Sequence, residues 1–170
     1  REYLGPSFSP IAGFGPHGAL AHYSANEDSD VALVGDSLLV LDSGGQYRTG
    51  TTDITRTLAF GEPSRQMITD YSLVLKGNLA LASQRFPAGT CGYQLDVLAR
   101  QFLWQSGFNY GHGTGHGIGF CLNVHEGPQN ISPKPVVVAI EEGMIISDEP
   151  GIYREGSHGV RIENLIVAQH

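Results

Sequence analysis

The chain has 170 residues, 41% of them hydrophobic and 16% charged, which suits one globular domain with a substantial core and excludes both disorder and a pair of ordinary domains. A formal net charge of −7 argues against a surface for nucleic acid or anionic membrane, and no apolar run approaches the roughly 18 residues that cross a bilayer. The only cysteines, Cys91 and Cys121, lack metal-type spacing and read as free buried thiols of a reducing compartment. With no signal-peptide pattern and Arg1 in place of an initiator Met, a cytoplasmic location is expected, and position 1 is not read as the natural start.

Residues 1–30 are broken by Gly5-Pro6, Gly13, Gly15-Pro16 and Gly18. Two short apolar pieces, Ser9–Ala12 and Ala19–Tyr23, are expected to pair as a hairpin with His22 near the end of its second strand. Leu38–Asp42 is a continuous apolar run, the mark of a buried strand, and Thr51–Phe60, rich in Thr and Ile, is expected as the next. Over residues 64–84, Met67, Tyr71, Val74, Leu75 and Leu79 fall at helical spacing, with Ser64 as N-cap and Pro87 just past the end. A second helix is expected over Tyr93–Gln105, with Leu95, Leu98, Ala99 and Phe102 on one face, Thr90 as cap and Gly107 as stop. Gly143–Glu149 and Val160–Ala168 complete the strands, so strands at both ends enclose two helices in an α+β sheet domain.

Between the second helix and those last strands lies Gly111-His112-Gly113-Thr114-Gly115-His116-Gly117-Ile118-Gly119. Each mid-helix glycine costs about 1 kcal/mol relative to alanine, so the stretch predicts an extended strand. Its glycines then share a bare face that can lie close to backbone or ligand, with His112, Thr114, His116 and Ile118 on the other. Two histidines four apart on a strand stand about 13 Å from each other, whereas a metal–nitrogen bond is about 2 Å. Only one of them can serve a given metal, with its other ligands elsewhere in the chain.

The carboxylates supply candidates. Asp42 ends a buried run, and a hairpin centred near Tyr47-Arg48 places Asp53 opposite it, with Cβ atoms about 5 Å apart. Glu149 and Glu163 repeat the arrangement about Gly156. Carboxylates embedded in apolar sequence are costly to bury without a cation. Two facing acidic hairpins predict a pair of divalent metals about 3.5–4 Å apart, and an oxygen-rich donor set with one imidazole favours Mn²⁺ over a thiolate-type Zn²⁺ site.

Leu41-Asp42-Ser43-Gly44, Thr52-Asp53-Ile54-Thr55-Arg56-Thr57, Gly113-Thr114-Gly115-His116-Gly117, Asp148-Glu149-Pro150-Gly151 and Arg161-Ile162-Glu163-Asn164 resemble the motifs of the pita-bread metallopeptidases. That family includes aminopeptidase P, prolidase and methionine aminopeptidase. The resemblance implies a curved antiparallel sheet with helices outside and two divalent metals, Mn²⁺ foremost with Zn²⁺ or Co²⁺ as alternatives. It implies that Asp42 binds one metal, that His116 and Glu149 bind the other, and that Asp53 and Glu163 bridge both, with Glu149 also the proton acceptor. His22 and His125 match the family's two non-ligand histidines, which hold substrate and act on the scissile amide. His112 matches a histidine beside the leaving proline, and Arg161 an arginine behind the ligands.

Residues 46–53 and 119–128 look most like the cytosolic aminopeptidase P branch. The expected activity is therefore hydrolysis of the Xaa-Pro bond at the N-terminus of a peptide with proline second. A prolidase, or a non-catalytic pita-bread module that binds peptides, is the alternative. A homodimer is implied for the full-length protein, with neither nucleic acid nor membrane as partner. Residues 1–170 are read as part of a catalytic domain, truncated at both ends and without the family's flanking helices and N-terminal domain.

Overall fold

A computed structural model describes residues 2–169. Twelve short strands, all paired antiparallel, and two helices build an α+β domain. In chain order come β1 (Tyr3–Pro6), β2 (Ile11–Phe14), β3 (Ser37–Ser43), β4 (Gly45–Tyr47), β5 (Gly50–Thr51), β6 (Ile54–Phe60), α1 (Arg65–Ala82) and α2 (Gly92–Gln105). Then follow β7 (Gly115–His116), β8 (Asn130–Ile131), β9 (Ile145–Asp148), β10 (Gly151–Arg154), β11 (His158–Arg161) and β12 (Asn164–Val167).

The apolar run at β3 takes a central place, with β2 on one side and β6 on the other. β4 joins β1 to β5, β9 pairs with β12, β10 with β11, and β7 with β8. Side chains and backbone stitch these ribbons together: Thr57 Oγ1 donates to Arg161 O (2.8 Å) and Glu163 N–H donates to Thr55 O (3.1 Å). Both helices pack against one side of the sheets. Leu38, Val74, Leu103, Ile152 and Val160 form one core cluster, and Leu81, Leu95, Ala99, Ile131 and Ile146 the other. The opposite side is left for polar chemistry.

Both helices start near where the sequence places them. Ser64 accepts from Met67 N–H (3.2 Å) as the N-cap of α1. At α2 the cap is Cys91 and not Thr90, because the Gln94 side chain reaches back to the Cys91 N–H (2.8 Å). The buried face of α1 also differs from its apolar stripe. Asp70, Val74, Gly77, Asn78 and Leu81 are buried, whereas Leu79 is 56% exposed. Met67, Tyr71, Val74 and Leu75 of the expected stripe do pack on the core, and the buried face widens past them to Asp70 and Asn78, which are buried with hydrogen-bond partners.

Three other expectations give way. Residues 15–19 form a 3₁₀ turn and β2 pairs with β3, so His22 lies in a turn and not on a strand. Only Gly115–His116 of the glycine-rich segment is a regular strand, and Thr114 turns away from the two histidines to bond Asp96. Asp42 stands opposite Thr55, not Asp53, because the β3–β6 register is centred one residue later than Tyr47-Arg48. The second acidic hairpin keeps its expected register: Gly151 faces Arg161 and Asp148 faces Asn164, which leaves Glu149 opposite Glu163 at the break between the two ribbons. Both cysteines are free, Cys91 buried and Cys121 half-buried.

Candidate metal centre

The glycine-rich segment puts His116 where its bare face allows. A Cβ on Gly115 would lie 1.9 Å from Ser147 O, and one on Gly117 would lie 2.0 Å from Glu126 O, so only glycine permits this approach to β9 and the following loop. His116 N–H donates to Ser147 Oγ (3.0 Å), and the His116 Nδ1–H donates to Gly117 O (2.9 Å). The other ring nitrogen is thereby aimed at carboxylates: Nε2 stands 3.3 Å from Glu149 Oε1 and 3.4 Å from Asp53 Oδ2.

Six residues converge in three overlapping sets, each with its candidate donor atoms within 4.8 Å of one another. Asp42, Asp53 and Glu163 form one set; His116, Glu149 and Glu163 the second; Asp53, His116 and His125 the third. Asp53, His116 and Glu163 each belong to two of the three sets. Asp42, Asp53 and Glu163 are buried, yet Asp42 Oδ1, Asp53 Oδ1 and Glu163 Oε1 have no hydrogen-bond partner. Three clustered buried carboxylates, each with one oxygen left without a partner, are a strong demand for positive charge. The donor set fits two hard divalent cations.

Electrostatics report the same demand. Burial, followed by the charges of Glu149, Asp53 and Asp42, pushes Glu163 up to about 9. Burial opposes a charge on His116, but its bonds to Asp53 and Glu149 outweigh that, and its pKa is pushed up to about 10. Burial likewise works to raise Glu149, and the His116 ring overcomes it, holding the carboxyl below its ordinary range. Burial raises Asp42 in spite of Arg161.

Around these groups lies a cavity of about 480 Å³, lined also by Phe8, Ile11, His22, His112 and His125. His125 is exposed at its mouth, and its ring lies 4.1 Å from that of His116 in a T-shaped contact. Burial and the His116 charge lower the His125 pKa. The expected arginine sits directly behind the carboxylates: Arg161 donates from Nη2 to Asp42 Oδ2 (2.7 Å), from Nε to Thr55 Oγ1 (3.2 Å) and from Nη1 to Tyr153 Oη (2.9 Å).

Tyr153 and Thr55 belong to the site although the sequence pattern marks neither. Thr55 Oγ1 donates to Glu163 Oε2 (2.8 Å); its place two residues after Asp53, on the same strand face, is the signal that finds it. His112 donates from Nδ1–H to Gly113 O (2.7 Å), so its Nε2 accepts the Tyr153 hydroxyl (2.7 Å). Burial lowers the His112 pKa, which fits this neutral tautomer. Both nitrogens are consumed, and His112 offers the cavity a ring face.

Known proteins are similar to this chain in sequence and in fold. The model of metallopeptidase family M24 matches residues 1–170. Aminopeptidase P1 of Lotus japonicus is 49% identical over 167 residues, which are 98% of this chain and 25% of that protein. A probable Xaa-Pro aminopeptidase P of Paracoccidioides lutzii is 48% identical over 171 residues, 99% of this chain and 28% of that one. The chain thus spans about a quarter of the length of these curated relatives. Among solved structures, an X-prolyl aminopeptidase of Caenorhabditis elegans, described as a cytosolic enzyme with a di-nuclear active site, superposes with a TM-score of 0.93 at 41% identity, over 96% of this chain and 27% of that chain. The prolidase of Pyrococcus furiosus superposes at 0.89 with 32% identity, over 99% and 48% of the two chains. The pita-bread fold expected from the motifs is the fold found, and the chain belongs to metallopeptidase family M24.

Proposed function

We propose that this chain carries the dinuclear centre of an aminopeptidase that hydrolyses the Xaa-Pro bond at the N-terminus of peptides. The observation that carries the reading is the overlap of three donor sets on shared Asp53, His116 and Glu163. Asp42 would hold one metal, His116 and Glu149 the other, with Asp53 and Glu163 between them. Once bound, two divalent ions supply a water of lowered pKa near neutrality and polarise the scissile carbonyl. Glu149, held below its ordinary range by His116 and bonded by Ser147 Oγ (3.1 Å), is the base that takes the proton. His22 and His125 reach into the cavity from two different loops to orient the peptide and stabilise charge on the scissile amide. His112, locked by Tyr153, presents a flat wall to the proline ring, and Arg161 fixes Asp42. Mn²⁺ as the metal is supported by the oxygen-rich donor set, and a cytoplasmic location by the solved structure of similar fold described as a cytosolic enzyme. The homodimer of the full-length protein remains part of the proposal on the strength of the family resemblance.

A prolidase reading has its own support in the fold shared with the Pyrococcus furiosus enzyme. The Mn²⁺-loaded full-length protein should therefore be offered a Xaa-Pro-Yaa tripeptide and a Xaa-Pro dipeptide side by side. Tripeptide cleavage with little dipeptide cleavage supports the aminopeptidase; dipeptide cleavage alone makes it a prolidase. Silence on both with metal bound turns the reading to a binding module. His125→Ala should keep metal and lower kcat, whereas loss of metal would make His125 a ligand.

A further inference from the structure

Helix α2 buries a charged pair that does not itself line the cavity and reaches its wall only through backbone, at His112 O. Arg100 is 1% exposed and Asp96 3%, and Arg100 Nε donates to Asp96 Oδ2 (2.6 Å). Isolated, such a pair is costly to desolvate and no better for stability than apolar packing. What it does here is hold backbone. From Nη1, Arg100 donates to Tyr110 O (2.7 Å) and Asn109 Oδ1 (2.9 Å), and from Nη2 to His112 O (2.8 Å). Its guanidinium lies over the Tyr110 ring, 3.8 Å from the centroid. Asp96 Oδ1 accepts from Thr114 Oγ1 (2.6 Å), which in turn accepts the Tyr110 hydroxyl (2.6 Å).

The segment so gripped has little else to fix it. Apart from β7 it makes no regular ladder, and three of residues 111–115 are glycine, with no side chain to pack. Thr114 O then accepts the Glu149 N–H (2.8 Å), so the same grip reaches the strand break that carries Glu149. His112, His116 and Glu149 are thus tied to one buried fork on α2.

We propose that Arg100 and Asp96 are positioning residues for the metal centre, holding residues 109–114 so that His112, His116 and Glu149 stand at their working places. The inference rests on the metallopeptidase reading above. Groups behind metal ligands typically set affinity by about 10–100-fold. Lysine keeps the charge of Arg100 but gathers three donors on one nitrogen, one fewer than the four acceptors that the planar guanidinium reaches from three nitrogens.

The test compares three variants of the full-length protein: Arg100→Lys, Thr114→Val and Arg154→Met. Thr114→Val releases Asp96 without removing a charge and decides the matter if Arg100→Lys does not fold. Arg154 pairs with buried Asp70 between β10 and α1, and neither lines the cavity, so it controls for stability alone. Hydrogen exchange of the metal-free proteins should be at least about tenfold faster at residues 109–116 in Arg100→Lys and Thr114→Val. By calorimetry their Mn²⁺ affinity should fall about tenfold or more, and kcat should fall with KM little changed. Arg154→Met should lower the melting temperature and leave all three readouts in place. The proposal is overturned if segment exchange and affinity stay within about twofold of the parent, or if Arg154→Met produces the same losses. Should the parent itself bind no Mn²⁺, the metallopeptidase reading fails, and metal-free exchange still decides whether Arg100 positions the segment.

Discussion

Gly115 is the point at which the backbone of β7 is pressed against β9, and the cost of a single added methyl there follows from the structure. A Cβ on Gly115 would stand 1.9 Å from Ser147 O and 2.9 Å from Ser147 C. Ordinary contact begins at 3.4 Å, so two backbones must part by about 1.5 Å, and no flexible side chain can yield instead. Overpacking of this kind costs about 1–3 kcal/mol, and a clash with backbone belongs at the upper end. At about 2–4 °C per kcal/mol for a domain of this size, about 3 kcal/mol lowers the melting temperature by about 6–12 °C.

The same displacement carries His116 with it. The bond from His116 N–H to Ser147 Oγ, 3.0 Å in the parent, is lost, and Nε2 leaves its place 3.3 Å from Glu149. Metal–ligand distances tolerate only about 0.2 Å, so a shift several times larger removes the histidine from the centre. Gly111 is the internal control: it lies in the same segment, its φ is outside the left-handed region, and nothing lies within 4 Å of its Cβ position. Melting curves of Gly115→Ala and Gly111→Ala, each with and without excess Mn²⁺, separate the cases. Gly115→Ala should melt early and gain little from Mn²⁺, while Gly111→Ala stays within about 0.5 kcal/mol of the parent in both conditions. If Gly115→Ala melts with the parent, or Gly111→Ala falls as far, the close-approach account of this segment is wrong.

Glu163→Gln keeps the shape and the oxygen that accepts from Thr55 but removes a charge from three clustered carboxylates. Its metal-free melting temperature should match or exceed the parent's, while the stabilisation by Mn²⁺, about 2.7 kcal/mol at a hundredfold excess over Kd, disappears; a full metal-induced rise would remove Glu163 from the centre. Tyr153→Phe strips a partner from both His112 Nε2 and Arg161 Nη1 and should cost about 1–3 kcal/mol by chemical denaturation, with a shifted His112 ring signal by NMR. An unmoved His112 signal would mean that the hydroxyl does not hold the ring. Asp70 gives the pH dependence: burial raises its pKa, but bonds from Arg154, Gln66 and His158 outweigh this and leave it below its ordinary value. A carboxyl depressed in the folded state contributes stability above its unfolded pKa of about 3.9 and loses it as pH falls through the lower folded value. Stability measured below about pH 4 should therefore decline less steeply in Asp70→Asn than in the parent, and superimposable acid limbs would contradict the assignment.

Much of this was legible where one residue type decides a local structure. Ser64 capping α1 and the apolar run of β3 each act within a few residues, and the structure follows them. Pairing of Glu149 with Glu163 was legible because the hairpin between them turns tightly at Gly156, with φ +71°, and fixes the register outward. Asp42 and Asp53 failed the same test because β4 and β5 lie between them and the register centre moves by one residue, enough to exchange Asp53 for Thr55 as the cross-strand partner. Buried polar networks were the least legible. Asp70, Asn78, Asp96 and Arg100 are all inside, each satisfied by polar partners beyond its own helix, and a count of apolar residues assigns their faces to solvent.

The two histidines of the glycine-rich segment show why motif and spacing stop short of function. Each donates its Nδ1–H to the carbonyl of the glycine that follows it, Gly113 for His112 and Gly117 for His116, so the chain fixes both rings by one local device. Everything that differs lies at Nε2. At His112 that nitrogen meets the Tyr153 hydroxyl, itself held by Arg161, and burial keeps the ring neutral. At His116 it meets Glu149 and Asp53, whose bonds outweigh burial and favour the charged ring. The difference between the two rings is thus made by what the fold brings to one nitrogen from the junction of β9 and β10 and from the residue before β6, far away in sequence. Exchange of those partners, and not of the histidines, is what would convert one role into the other.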